Sequence, residues 1–123
     1  MAKHGARDVV AIDISKDALR YGSRRYQEKN LHFVRADAFH LPLRDCSFEV
    51  VICFEIIEHL KDCTKFLSEC KRVPKNQNLF IISTPNKLVT SHFWKKPLNP
   101  DHVKEFTPNK FKILYQNTST SLT

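Results

Sequence analysis

Four short apolar runs recur along the chain, DVVAID, LHFVRAD, FEVVICF and LFIIST, and two of the three intervals between them carry helical patterning. This recurrence constrains the fold more than any other feature. Short apolar runs bounded by turn residues suit buried strands, and strands alternating with helices imply βαβ units and a parallel sheet. DVVAID ends in an acid, Asp13. Ser15 then offers a helix N-cap, and SKDALRYGSRRYQEK carries Leu19, Gly22 and Tyr26 on one side. LHFVRAD is a second strand, also ending in an acid, Asp37, and AFHLPLRDCS is a Pro-containing loop. FEVVICF is apolar almost throughout, as expected of a strand covered on both faces. KDCTKFLSECKRV reads as a helix with Cys63, Phe66, Leu67, Cys70 and Val73 as its apolar stripe. PKNQN is expected to turn the chain into the fourth strand. The expected fold class is therefore α/β, a Rossmann-like, mostly parallel sheet with flanking helices.

After Pro85 the periodicity dissolves into a stretch rich in turn residues. TPNKFKILY is expected to start a helix, with Thr107 as its cap and Pro108 at its first position. The polar QNTSTSLT is expected to fray. The chain of 123 residues suits one domain. Within it we expect strand–helix units over 1–86, a loop region over 87–111 and a frayed tail over 112–123.

No apolar run is long enough to span a bilayer, and MAKHGARD does not have the pattern of a signal peptide. The four cysteines, Cys46, Cys53, Cys63 and Cys70, form no C-x-x-C pair, which argues against a zinc ribbon or redox motif. Scattered thiols without an export signal suggest a reducing, cytoplasmic setting. The net charge of +7 attracts phosphates in principle. The basic residues are spread along the chain, however, and read as a solvated surface rather than a nucleic-acid groove.

Two features carry chemistry. Asp13 and Asp37 stand at the carboxyl ends of strands, where ligands of open α/β sheets bind. One such acid can accept both hydroxyls of a ribose, and a second, one strand over, can accept an adenine amino group. Either acid alone is equally well explained as a helix cap. In FEIIEHL, Glu55, Glu58 and His59 fall at i, i+3 and i+4, which would place them on one face of a helix.

Taken together, VVAIDIS, VRADAFHLPLRDCSFEVVICFEIIEHL and LFIISTPN resemble the cofactor-binding half of class I S-adenosylmethionine-dependent methyltransferases in order and spacing. The resemblance covers roughly residues 1–111. It implies that Asp13 holds the ribose, that Ile14 packs near the adenine, and that Asp37 and the Ala38 backbone read the adenine edge. Phe54 and Glu55 would lie near the methionine end. The family's first strand and glycine-rich loop do not occur here, and its closing strands are not reached, so the expected sheet is incomplete at both ends. MAKHGARD resembles the last turn of the helix after that loop, with Gly5 as a left-handed C-cap. The family's usual glycine pair before the later strand is replaced by KNQN. A rival of the same architecture, a short-chain NAD-dependent dehydrogenase, would need Tyr-x-x-x-Lys, which the chain lacks.

FEIIEHL followed by STPN and DHVKEFT is similar to two methyltransferase groups, the small-RNA 3′-terminal 2′-O-methyltransferases and the O-methyltransferases of ubiquinone synthesis. That similarity implies a divalent metal held by Glu55, Glu58, His59 and His102, and these donors suit manganese, iron or zinc better than magnesium. Without a metal, Glu58 and His59 would brace the next helix, Glu55 would face solvent or substrate, and His102 would be a substrate-side base or a loop residue. The catalytic candidates are Glu55, His59 and His102. Phe93 and Trp94, beside Lys95 and Lys96, would line a substrate mouth or cover the sheet edge. The expected activity is O-methylation by S-adenosylmethionine, with a small molecule, a glycan or lipid head group, or an RNA 3′ end as acceptor. The competing expectation is a truncated, non-catalytic fragment or interaction module.

Overall fold

The structure, a computed structural model, describes residues 1–85 and 106–117. The expectations for Phe93, Trp94, Lys95, Lys96 and His102 therefore lie outside the described residues. The chain divides into two compact units, Met1–Pro42 and Leu43–Thr123.

In the first unit a single helical turn, Ala2–His4, ends on Gly5 at φ 97°, the left-handed cap that its sequence suggested. Strand β1 (Val9–Asp13) leads into helix α1 (Lys16–Arg25), which Ser15 caps by accepting from the Ala18 N–H at 3.2 Å. Strand β2 (Leu31–Arg35) returns parallel to β1 in an unbroken register from Val9↔Leu31 to Asp13↔Arg35. Helix α1 is shorter than its periodicity suggested. Tyr26 still donates its N–H to the Gly22 carbonyl but has left helical geometry at φ −124°, ψ 102°, and its side chain is exposed. Tyr26 therefore drops out of the expected stripe with Leu19 and Gly22. The chain needs the intervening residues to turn into β2, where Leu31 N–H bonds to the Glu28 carbonyl. Asn30 fastens this turn to the N-terminal segment by donating to the carbonyls of Ala2 (2.9 Å) and Ala6 (2.8 Å).

The second unit holds β3 (Phe48–Phe54), a single helical turn at Ile57–His59, α2 (Cys63–Arg72), β4 (Pro74–Ser83) and α3 (Pro108–Asn117). Strands β3 and β4 pair in parallel. Asp62 caps α2 by accepting from the Lys65 N–H at 3.0 Å. The expected stripe of α2 is buried throughout: Cys63, Phe66, Leu67, Cys70 and, just past the helix, Val73. Arg72, in the last turn, donates to both oxygens of Glu69, to Asp45 and to the Leu43 carbonyl, so it ties α2 to the segment entering β3. The hydrogen bonds to Glu69 and then Asp45 push its pKa further up, so the guanidinium stays charged. All four cysteines are free thiols, and the Sγ atoms of Cys53 and Cys70 lie 3.6 Å apart in the core.

Three expectations for this unit need correction. PKNQN is not a turn, because β4 begins at Pro74. Pro74 pairs with Phe48 at a strand's first position, where a missing N–H is tolerated, and a register shift absorbs the residues before the Val50↔Leu79 pair. Strand β3 is not covered on both faces, since Val50 and Phe54 are exposed. Residues 112–117 are not frayed: α3 runs on to Asn117. Thr107 caps it through the Lys110 N–H at 3.3 Å, and Phe111 anchors it edge-to-face on buried Phe106. Among the described residues no helix is long and apolar enough to cross a membrane.

Candidate functional site

The two strand-end acids belong to the first unit. Asp13 is the last residue of β1 and is exposed. Its Oδ1 accepts from the Ser15 N–H at 2.8 Å, which fixes the carboxylate at the strand's exit. Ser15 supplies the cap of α1, so Asp13 is not needed for that role. Next to it Ile14 is 61% exposed, an apolar side chain with no protein neighbour covering most of it. The Ala36 N–H bonds to the Asp13 carbonyl at 3.1 Å and carries the chain from β2 toward Asp37. Asp37 Oδ1 accepts from the Phe39 N–H at 2.9 Å, its Oδ2 lies 3.8 Å from His40 Nδ1, and Ala38 between them is half-buried.

Both carboxylates are thus pre-oriented by backbone donors, and both remain accessible. Acceptors at the ends of adjacent parallel strands, with an exposed aliphatic residue beside one of them, suit a ligand with vicinal hydroxyls and a flat heterocycle. These acceptors fit the adenosine part of S-adenosylmethionine. Arg35 was not anticipated. It stands opposite Asp13 in the register, and its Nε donates to the Ile14 carbonyl at 2.9 Å, which holds the strand exit in place. Only the pairing register could have revealed it.

FEIIEHL belongs to the second unit and does not form the expected helical face. β3 stays extended through Phe54, which is 60% exposed. Glu55 then turns into the left-handed region at φ 52°, a strained conformation for a residue with a side chain. Ser83 holds it there: Glu55 N–H donates to the Ser83 carbonyl at 3.1 Å, and Ser83 Oγ donates to Glu55 Oε1 at 2.8 Å. The following turn carries Glu58 inward, fully buried, where Oε2 accepts from Thr84 Oγ1 at 3.1 Å and Oε1 has no hydrogen-bond partner among the described residues. His59 is 40% exposed, with Nε2 3.8 Å from Glu58 Oε1.

The reason for the difference is local. A left-handed residue between strand and turn breaks the helical spacing, and two adjacent hydroxyls draw the two carboxylates apart. Among the described residues no three or more His, Cys, Asp or Glu side chains cluster closely enough to hold a metal. Glu55, Glu58 and His59 therefore do not make a ligand set as described, and His102 lies outside the described residues.

Parallel βα units with acids at the strand ends are a Rossmann-like arrangement. The model of the family described as "Methyltransferase domain" matches residues 1–82, and the chain belongs to that family. It is 36% identical over 109 residues to a protein of Mycobacterium tuberculosis named a probable S-adenosylmethionine-dependent methyltransferase, covering 89% of this chain and 39% of that protein. It is 33% identical to the ubiquinone biosynthesis O-methyltransferase of Paraburkholderia phymatum, covering 76% of this chain and 41% of that one. Among solved structures, YcgJ of Bacillus subtilis shares the fold with a TM-score of 0.74 at 21% identity, covering 89% of this chain and 51% of that chain. The chain thus spans about two-fifths of the length of these curated relatives.

Proposed function

We propose that the chain forms the adenosine-holding part of an S-adenosylmethionine-dependent methyltransferase whose acceptor atom is an oxygen. The observation that carries this is the pair of accessible, backbone-oriented carboxylates of Asp13 and Asp37 at the ends of adjacent parallel strands. Asp13 takes the ribose hydroxyls, Ile14 packs on the adenine, and Asp37 with the Ala38 backbone takes the adenine edge. When bound, S-adenosylmethionine supplies a methyl group activated on a sulfonium centre. Phe54 and Glu55 are assigned to its methionine end.

The acceptor oxygen must lose its proton as it takes the methyl. We assign that proton to His59, supported by its exposed ring and the buried carboxylate beside it, with Glu55 and His102 as candidates for the same role. No step is assigned to a metal. Oxygen as the acceptor atom is supported by the likeness to ubiquinone biosynthesis O-methyltransferases. The acceptor is a small molecule, a glycan or lipid head group, or an RNA 3′ end. Free thiols at all four cysteines suit a reducing compartment such as the cytoplasm.

Calorimetric titration with S-adenosylhomocysteine tests the cofactor assignment. A hydrogen bond to a charged group contributes roughly 1.5–3 kcal/mol. Asp13→Ala should therefore weaken binding about tenfold or more, and Asp13→Asn by less. Binding that is unchanged by Asp13→Ala would overturn the assignment.

A further inference from the structure

Helix α1 carries four cations, Lys16, Arg20, Arg24 and Arg25, against one acid, Asp17. All four are exposed, and none has an ion pair among the described residues. Other cations of the first unit do have partners. Lys3 lies 3.5 Å from Glu28, Arg7 lies 3.9 Å from Asp8, and Arg35 donates to the Ile14 carbonyl. The basic residues are spread along the sequence, but the fold sets these four on one short helix. The helix dipole accounts for Arg24 and Arg25, which stand in the last turn. It does not account for Lys16 in the first turn, where the dipole disfavours a cation.

Their placement follows from Gly22, whose missing side chain would run into Phe33 of β2. That side of α1 is therefore the inner one. Arg20 and Arg24 lie two residues to either side of Gly22, about 200° round the helix, and point outward. Lys16, Arg20 and Arg24 follow one another at i, i+4 and i+8, a ladder about 12 Å long at about 1.5 Å per residue. Tyr21 precedes Arg24 and Arg25 by three and four positions, which puts its ring beside them, and it is 68% exposed.

We infer that this outer face of α1 is a docking surface for single-stranded nucleic acid. The phosphates pair with Lys16, Arg20, Arg24 and Arg25, and a base stacks on Tyr21. One strand of stacked nucleic acid carries a phosphate about every 3.4 Å, so a ladder of about 12 Å faces three or four of them. A cationic track beside an exposed aromatic ring is how single strands are held without regard to sequence. A membrane surface fits less well, because a helix lying on one needs its apolar side free, and here β2 takes the Gly22 side. The contacts are to phosphate and base, so DNA and RNA are held alike. No part of methyl transfer is assigned to this face, and its docking needs no cofactor.

Fluorescence anisotropy of labelled oligothymidylate and oligouridylate, each about twelve nucleotides long, with the full chain tests this. Both are expected to bind, with log K falling against log salt at a slope near −3, or about 0.7 per phosphate neutralised. Arg24→Gln should weaken binding several-fold and make the slope shallower by about 0.7. Tyr21→Ala should weaken it at least about fivefold and leave the slope unchanged. Lys112→Gln, which removes an exposed cation of α3 in the second unit, should change neither affinity nor slope. All three positions are exposed, so the variants should fold as the parent does. No binding at about 50 mM salt, no loss in Tyr21→Ala, or equal losses in Arg24→Gln and Lys112→Gln would overturn the inference. So would Arg24-dependent binding to phosphatidylserine vesicles with none to either oligonucleotide, which would make the face a membrane contact.

Discussion

Gly22 shows how much of a helix–strand contact can depend on one absent methyl. A Cβ built there would lie 2.8 Å from Cε1 of Phe33 on β2, closer than real contacts allow. Glycine within a helix costs about 1 kcal/mol relative to alanine, so α1 carries that cost in return for close approach to the Phe33 ring. Gly22→Ala should nevertheless destabilise the protein, by about 1–2 kcal/mol, because overpacking outweighs the gain in propensity. Urea midpoints would show it, and adding Phe33→Leu should recover most of the loss. A midpoint that rises in Gly22→Ala alone would mean the ring moves aside at little cost. Glu55 illustrates the opposite case, a full side chain held at positive φ by its bonds to Ser83. Nothing in the order of residues in FEIIEHL distinguishes that arrangement from a helical turn.

At the scale of elements, among the described residues each sheet has two strands, β1 with β2 and β3 with β4. Two-stranded sheets are marginal by themselves, and unpaired edges invite pairing with other chains. The register places Val50 opposite Leu79, and these apolar side chains are 36% and 55% exposed. Leu79→Lys should therefore reduce self-association, seen as a lower apparent mass in sedimentation velocity at raised concentration. Its effect on stability should stay within about 0.5 kcal/mol, as for most surface substitutions. Self-association unaffected by the charge would assign it to another surface. Helix α2 is the most legible element, because its apolar residues repeat at helical spacing and every one of them is buried. The start of β4 was illegible, because polar KNQN carries turn chemistry yet runs within the strand, in the register shift between the Phe48↔Pro74 and Val50↔Leu79 pairs.

Across the whole molecule, burial is unequal. The deeply buried apolar residues, from Cys53 through Leu67 to Phe106, all belong to the second unit, and none of the described residues of the first is as well covered. Local stability follows buried apolar contact, so amides of β1 and β2 should exchange hydrogen at least about tenfold faster than those of β3, β4 and α2. Exchange read by mass spectrometry would check this, and equal protection would show that burial does not set the difference. If the first unit holds adenosine as proposed, S-adenosylhomocysteine at a hundredfold excess over its Kd should add roughly 2.7 kcal/mol to the protection of β1 and β2.

The sequence by itself determined the alternation of strands and helices, the caps at Ser15 and Thr107, the left-handed Gly5 and the acids at the strand ends. These depend on periodicity and on backbone preferences acting over a few residues, and such signals are written locally. Tertiary structure alone decided that Arg35 braces the Ile14 carbonyl, that Glu58 turns inward to Thr84 while Glu55 stays outside with Ser83, and that KNQN joins a strand. The first three are bonds between residues more than twenty positions apart. Which partner a carboxylate or guanidinium meets at that separation depends on the register of neighbouring strands, which no single stretch of the chain encodes.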